Sequence, residues 1–448
     1  MREMSDTYRE FTGHTESFEE IAHARKLNVE QEALGSDVNR LASLFVQICE
    51  NNRDRRDYTR AEIRRAMREV AASFRIYRTY VVAERDEVTD DDRREIEHAV
   101  NKGRERRQDI DPGLFEFIGD VLTLRQRGDL ESEFILRFQQ FTSPVMAKGV
   151  EDTAFYCFNR MIGLNEVGGD PAADGLSVEE FHDYCRRMQR TRPTTMTTLA
   201  THDTKRGDDV RARLAVLSEM PARWRLALQR WAKMNTRYKH KGFPDRNTEC
   251  FLYQTIVGAW PISEDRLQAY MLKATREAKE QTTWTQQNKE FEDALHAFIH
   301  HILNASDFLD DLDVTVKKIN HAGHVNSLTQ SLLRYTAPGV PDTYQGGELW
   351  DYRLVDPDNR TPVDYQLRQS LLSELNAGLP VSAIMEREES GLPKMWLTTK
   401  ALHLRREHPE WFGAEAAYEP LYAHGEKAGH MIAYLRAERV VIVTQRWN

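Results

Sequence analysis

Two stretches, MTTLATHDTKR at Met196–Arg206 and APGVPDTYQGGELWD at Ala337–Asp351, decide how this chain is read. Each opens with small, β-branched or apolar residues and then breaks off into polar and charged ones. His202, Asp203, Lys205 and Arg206 close the first, and Tyr344, Glu348, Trp350 and Asp351 close the second. A long helical stretch separates them. Strands that end abruptly in charge, alternating with helices, predict a β/α barrel, in which functional groups sit at the C-terminal ends of the strands.

Outward from these stretches the texture is mostly helical. Ser17 to about Arg137 reads as a run of helices. Thr59 and Glu62 form a capping-box pattern, followed by Ile63, Ala66, Met67, Val70 and Phe74 at the spacing of one buried stripe. Thr89 precedes Asp90, Asp91 and Asp92, three acids set against the positive end of a helix dipole. The arginine clusters Arg53, Arg55, Arg56 and Arg104, Arg106, Arg107 interleave with acids and read as solvated faces. From Phe141 to Asp170 the periodicity breaks, and the segment near Val145 has strand character. Helical pattern returns from Asp208 to about Asn320. The tail from Thr398 predicts a helix over Thr399–His408, then strands in MIAYLRA and VVIVTQ.

Composition excludes several classes. The 448 residues are 40% hydrophobic and 30% charged, an ordinary globular balance. The net charge of −9 argues against a nucleic-acid surface and permits an uncharged ligand such as a sugar. Cys49, Cys157, Cys185 and Cys250 lie far apart without metal-ligand spacing, which predicts buried free thiols in a reduced compartment. No stretch approaches a membrane span, and the charged start has no apolar signal region, so the expected location is the cytoplasm.

Four runs then carry a family resemblance: TSPVMAKGVEDTAFY (Thr142–Tyr156) with LNEVGGDP (Leu164–Pro171), THDTKRGDDVRARLAVLSE (Thr201–Glu219), LQAYMLKATREAKEQTTW (Leu267–Trp284), and TAPGVPDTYQGGELWDYRLVDPDNRTPVDY (Thr336–Tyr365). In this order they resemble the maltooligosyltrehalose synthases, (1→4)-α-D-glucan 1-α-D-glucosylmutases of the α-amylase family. The resemblance implies an α/β fold: the C-terminal part of an α-amylase-type (β/α)8 barrel with large helical insertions and an incomplete C-terminal β domain. It divides the chain into a helical insertion subdomain at 1–140, the later part of the barrel at 141–395 with a helical insertion at about 208–330, and the start of the β domain at 396–448. It also implies a maltooligosaccharide substrate, whose reducing-end α-1,4 link becomes an α,α-1,1 link by retaining intramolecular transglycosylation. No cofactor and no metal are implied.

Matched residue by residue, Asp203 takes the place of the family's transition-state-stabilising carboxylate, and His202 that of a residue bonding the same sugar. On the residues alone, the reading of Asp203 as a cap on the helix that follows is the favoured one. Lys148, Lys205 and Arg206 are candidates for holding the released glucose; each can instead be surface charge or pair with Glu151, Asp152, Asp208 or Asp209. Tyr156, Tyr344 and Trp350 can offer aromatic faces to sugar rings or belong to the core. Glu348 is expected to order the site, and Gly168 with Gly169 to form a turn.

The family's nucleophile and general acid belong to motifs after earlier barrel strands, and neither motif occurs in this sequence. The expectation is a chain that begins beyond them, carries about three of eight barrel strands, and completes its site with an upstream barrel half. The competing expectation is a non-catalytic chain that binds glucan or protein. Glu151, Asp152, Glu348 and Asp351 are carboxylates in suitable loops. Nothing marks two of them as a pair at the ~5 Å that retaining chemistry needs.

Overall fold

The computed structural model describes residues 1–447, which fall into two compact units. One comprises Thr15–Phe158 and Arg276–Trp284; the other comprises Met1–His14, Asn159–Thr275 and the described residues from Thr285 onward.

The first unit is helical. Its main helices are Phe18–Glu32, Gly35–Asn51, Arg60–Ala72, Asp90–Arg106, Pro112–Leu122 and Asp129–Met146. Starts are set by side chains: Thr59 Oγ1 accepts the Glu62 amide at 3.2 Å, and Glu62 returns to the Thr59 amide at 2.9 Å. Reciprocal bonds of this kind satisfy amides that have no partner within the helix. Thr89 and Asp92 repeat the device, as do Ser17 and Glu20. The stripe Ile63, Ala66, Met67, Val70 and Phe74 is buried as its spacing predicts, in a core with Phe45, Phe115, Phe134 and Phe138.

The segment near Val145 differs from expectation. It is not a strand: the helix Asp129–Met146 runs through it, and a π-helical segment, Ala147–Ala154, continues the chain. Two features account for the change. Pro144 lies inside the helix and cannot donate a backbone bond, and a wider turn beyond it relieves the register. Gly149 meets the helix Phe18–Glu32 so closely that a Cβ there would lie 2.8 Å from the Lys26 Cα.

In the second unit, a parallel pair is formed by β1 (Met196–Thr197) and β2 (Val340–Pro341), in register Met196 with Val340 and Thr197 with Pro341. Both strands are shorter than the sequence suggests, because Pro338, Gly339 and Pro341 interrupt one ladder and the other turns at Thr198–Thr201. Between them lie the helices Asp208–Ala215, Pro221–Asn235, Arg246–Ala259, Lys289–Leu303 and the 31-residue Ser306–Thr336, which runs past the expected end at Asn320. The helix expected at Thr399–His408 spans Leu392–Glu407.

A three-stranded antiparallel sheet closes the described chain: β3 (Tyr418–Leu421), β4 (Met431–Arg436) and β5 (Val440–Gln445), with β4 central. Its inner face, Tyr418, Ile432, Tyr434 and Ile442, packs on Phe181 and Leu333. The register pairs Ala433 with Val443 and Leu435 with Val441 on the opposite face. All four cysteines are buried and none is in a disulfide. Among the described residues no helix is long and apolar enough to cross a membrane.

Val441 and Val443 on the outer strand are 59% and 52% exposed, an apolar β surface of the kind that seeds association. Replacing Val441 by Lys and Val443 by Thr should raise the concentration at which the protein aggregates. Its melting temperature should hold, since exposed substitutions stay within about 0.5 kcal/mol. Light scattering against concentration reads the first, and a thermal melt the second.

Candidate functional site

Because β1 and β2 are parallel, the chain leaves both at the same end. The Val340 amide donates to the Thr195 carbonyl at 2.9 Å and the Asp342 amide to Thr197 at 2.8 Å. Beyond that end lie the two loops the sequence singled out, Thr198–Arg206 and Asp342–Asp351.

The first loop turns at Thr201. The Asp203 amide donates to Thr201 Oγ1 at 3.1 Å, and the Thr204 hydroxyl donates to the Thr201 carbonyl at 3.0 Å. His202 and Asp203 are exposed at the tip, while Thr204 through Val210 are buried. Asn359 holds the tip from the side, donating from Nδ2 to the His202 carbonyl at 3.0 Å. Among the described residues no hydrogen bond or ion pair engages the Asp203 carboxylate.

Asp203 makes no cap bond to the helix that follows. The amides it would serve are taken by Glu166: Lys205 donates to its two oxygens at 2.8 and 3.0 Å, and Arg206 at 3.2 Å. The helix itself begins later, at Asp208, with Gly207 before it.

Other candidates are placed differently. Arg206 is 1% exposed; its guanidinium donates to the Asn165 carbonyl at 3.1 Å and lies over the Phe251 ring, so it braces the loop from inside. Lys205 is also buried. Tyr344 is half-buried. Glu348 receives Arg368 at 2.9 Å, and the same Arg368 donates to the Gly346 carbonyl at 2.8 Å, which orders the glycine turn. Trp350 stacks on His324, centroids 4.4 Å apart and planes 2° off parallel, and donates from Nε1 to the Glu388 carbonyl. Lys148 and Tyr156 belong to the helical unit. Lys148 is exposed and paired with Asp152 at 2.7 Å, and Tyr156 is buried.

The two loops of the second unit are joined by backbone. The Gly207 amide donates to the Arg353 carbonyl at 2.8 Å, and a Cβ at Gly207 would lie 2.5 Å from the Asp351 carbonyl oxygen. Below that junction is a buried charged triad. Lys394 donates from Nζ to Asp208 at 3.0 Å, to Asp209 at 2.8 Å and to the Leu349 carbonyl at 3.3 Å. Asp209 also accepts the Asp351 amide, and the Asp351 carboxylate takes Arg353 Nε and Nη2, each at 2.7 Å. Arg353 reaches on to the Asn359 carbonyl at 3.2 Å, which links the triad to the residue that holds His202.

The triad carries two carboxylates against one ammonium. Burial, together with the charge of Asp208, pushes the Asp209 carboxyl up to about 6. Burial works on Asp208 in the same direction, but the Lys394 charge and hydrogen bond outweigh it and leave that carboxyl below its ordinary value. Both carboxylates sit in the first turn of their helix, where its dipole favours negative charge. Lys394 was not evident from sequence. Its only signal is that it shares a buried helical face with Thr398 and Ala401 at i, i+4 and i+7. Glu166 carries no signal beyond its place before the Gly168–Gly169 turn.

No protein-family model matches this sequence. A curated protein of Mycobacterium tuberculosis, assigned provisionally as a maltooligosyl trehalose synthase, is 40% identical over 321 residues, covering 70% of this chain and 39% of that protein. The solved maltooligosyltrehalose synthase of Arthrobacter ramosus superposes with a TM-score of 0.86 at 35% identity, over 99% of this chain and 54% of that one. A hypothetical maltooligosyl trehalose synthase of Sulfolobus tokodaii superposes with a TM-score of 0.74 at 26% identity, over 100% of this chain and 55% of that one. The mostly helical fold is therefore shared with part of the solved maltooligosyltrehalose synthases. The chain is a homologue of the maltooligosyltrehalose synthases, and it spans about half or less of the length of these relatives, 39% of the curated one and 54% of the Arthrobacter one.

Removing Lys394 would leave two buried carboxylates facing each other. Lys394→Met should lower stability by about 3–5 kcal/mol, as loss of one partner of a buried ion pair does. Asp209→Asn, which keeps the Lys394–Asp208 pair, should cost less. The two variants also differ from wild type with pH. Asp209 holds its proton up to about 6 when folded, against an ordinary 3.8. Its contribution to stability is therefore full below about pH 4 and lost as pH rises through about 6. Asn does not ionise, so Asp209→Asn should gain on wild type between about pH 4 and 7. Denaturant titrations at several pH values check both statements.

Proposed function

We propose that this chain supplies the Asp203-bearing part of a maltooligosyltrehalose synthase site, at the ends of the later strands of an α-amylase-type barrel. The observation that carries the proposal is the Asp203 carboxylate. It is exposed at the open end of a parallel strand pair and free of protein partners among the described residues, while Glu166 takes the amides it would otherwise cap. A carboxylate kept from local bonding is available to a ligand.

The chemistry is a retaining double displacement on a maltooligosaccharide. A carboxylate outside the motifs of this chain attacks C1 of the penultimate glucosyl unit, and an acid protonates the departing O4 of the terminal glucose. The charge of Asp203 stabilises the oxocarbenium-like centre, and His202 bonds the same sugar. The freed glucose then turns, and its anomeric hydroxyl attacks C1 while giving its proton to the conjugate base. The product is an α,α-1,1 link. Lys205 holds the glucose during the turn, and Tyr344 offers it a ring face. Arg206, Glu348 and Trp350 act through the loops they brace.

The partner is the rest of the synthase, which brings the nucleophile and acid. No nucleic acid, membrane or cofactor enters the scheme. Four buried cysteines with no disulfide among them suit the cytoplasm.

In the enzyme completed by that partner, Asp203→Asn should lower turnover of maltopentaose at least about 100-fold with folding unchanged, because only charge is removed. Near-normal turnover would retire the proposal. This chain alone should form neither trehalose-ended product nor glucose. Robust conversion by a monodisperse preparation would move the chemistry to Glu151 or Glu348.

Lys205→Met in the completed enzyme should raise free glucose relative to trehalose-ended product, measured by chromatography of the digest. Unchanged partitioning would return Lys205 to a structural role.

A further inference from the structure

We infer that Glu166 is a positioning residue for Asp203: its buried carboxylate occupies the amides behind the loop and thereby leaves the Asp203 carboxylate facing outward. The geometry stands by itself, and only its consequence for turnover rests on the reading of Asp203 given above.

A carboxylate two or three residues before a pair of free amides ordinarily folds back onto them. Asp203 stands two residues before Lys205 and three before Arg206. Both amides are instead bound by Glu166, which is 7% exposed and has both oxygens engaged. It also accepts the amide of Val167 at 2.9 Å, and Arg211 Nε lies 3.8 Å away. The turn that follows fixes Glu166 in place: the Gly169 amide donates back to its carbonyl at 2.7 Å, and Gly168 takes a φ of 72° that L side chains rarely adopt. A second tie joins the same two segments, since Arg206 Nη1 donates to the Asn165 carbonyl at 3.1 Å. A bond from the loop amides to a distant carboxylate therefore replaces the local one, and the local carboxylate is released.

Neutralising Glu166 should reverse this. A glutamine puts N–H in place of one carboxylate oxygen and removes the charge from the oxygen that Lys205 and Arg206 share, so both loop amides are held less strongly, and Asp203 is the carboxylate spaced to compete for them. The exposed charge turns inward.

The test is residue-resolved hydrogen exchange on the full chain and three variants: Asp203→Asn, Glu166→Gln and the double variant. Asp203→Asn should leave the Lys205 and Arg206 amides protected as in wild type. Glu166→Gln should speed exchange at one or both by about tenfold or more, as loss of a charged acceptor does, while the helix Asp208–Ala215 stays protected. The double variant should exchange faster still, because Asp203 is no longer there to substitute. Deprotection by Asp203→Asn alone, or unchanged exchange in Glu166→Gln, overturns the inference. Should Glu166→Gln fail to fold, the Asp203→Asn result decides it.

In the completed enzyme, kcat of the double variant should equal that of Asp203→Asn, with Glu166→Gln already reduced and Glu166→Asp partly restored. Losses that multiply instead would mean that Glu166 acts independently of Asp203. Expected exchange together with a fully active Asp203→Asn would retire the synthase reading of Asp203 while leaving the amide assignment intact.

Discussion

Lys394, held between Asp208 and Asp209 out of water, is the interaction on which the rest of the candidate site depends. Ions taken out of water cost several kcal/mol each unless they are paired and their remaining atoms bonded. Here one ammonium serves two carboxylates from the start of one helix and a carbonyl from a loop. Three segments distant in sequence must arrive together before any of these charges is satisfied. The arrangement tolerates little slack, which is the condition a site loop needs from its support.

From that triad, order passes to the surface through a short series of bonds. Asp209 fixes the Asp351 backbone, Asp351 fixes Arg353, and Arg353 reaches the Asn359 carbonyl. Asn359 in turn holds the carbonyl of His202. Glu166 closes the opposite side by binding the Lys205 and Arg206 amides. Asp203 is thus displayed by neighbours that are each committed elsewhere. The loop's polarity is spent on backbone and on buried pairs, and one carboxylate is left over.

The helical unit follows a different logic. Its stability comes from amphipathic stripes meeting in one apolar core, with capping boxes deciding where the helices begin. Periodicity and caps are local properties, and they survive translation from sequence to structure.

Sequence by itself therefore determined what depends on near neighbours. The stripe Ile63–Phe74, the caps at Thr59 and Thr89, the buried thiols without disulfides and the strands Met431–Arg436 and Val440–Gln445 are all legible from spacing and residue type. So were the two loops that end in charge, because an apolar run breaking into polar residues is a local pattern. Tertiary structure decided what depends on distant partners. The segment near Val145 is helical because Pro144 and the close approach of Gly149 to Lys26 call for a π-helical segment, where local composition favours a strand. Arg206 is buried and Asp203 is not, although they stand three residues apart. The reason is that Glu166, forty residues from Arg206 in sequence, takes the amides between burial and exposure. Lys394, in an ordinary-looking helix, becomes the centre of a buried triad only when Asp208 and Asp209 fold against it, and a contact across some 185 residues leaves no trace in the spacing of either segment.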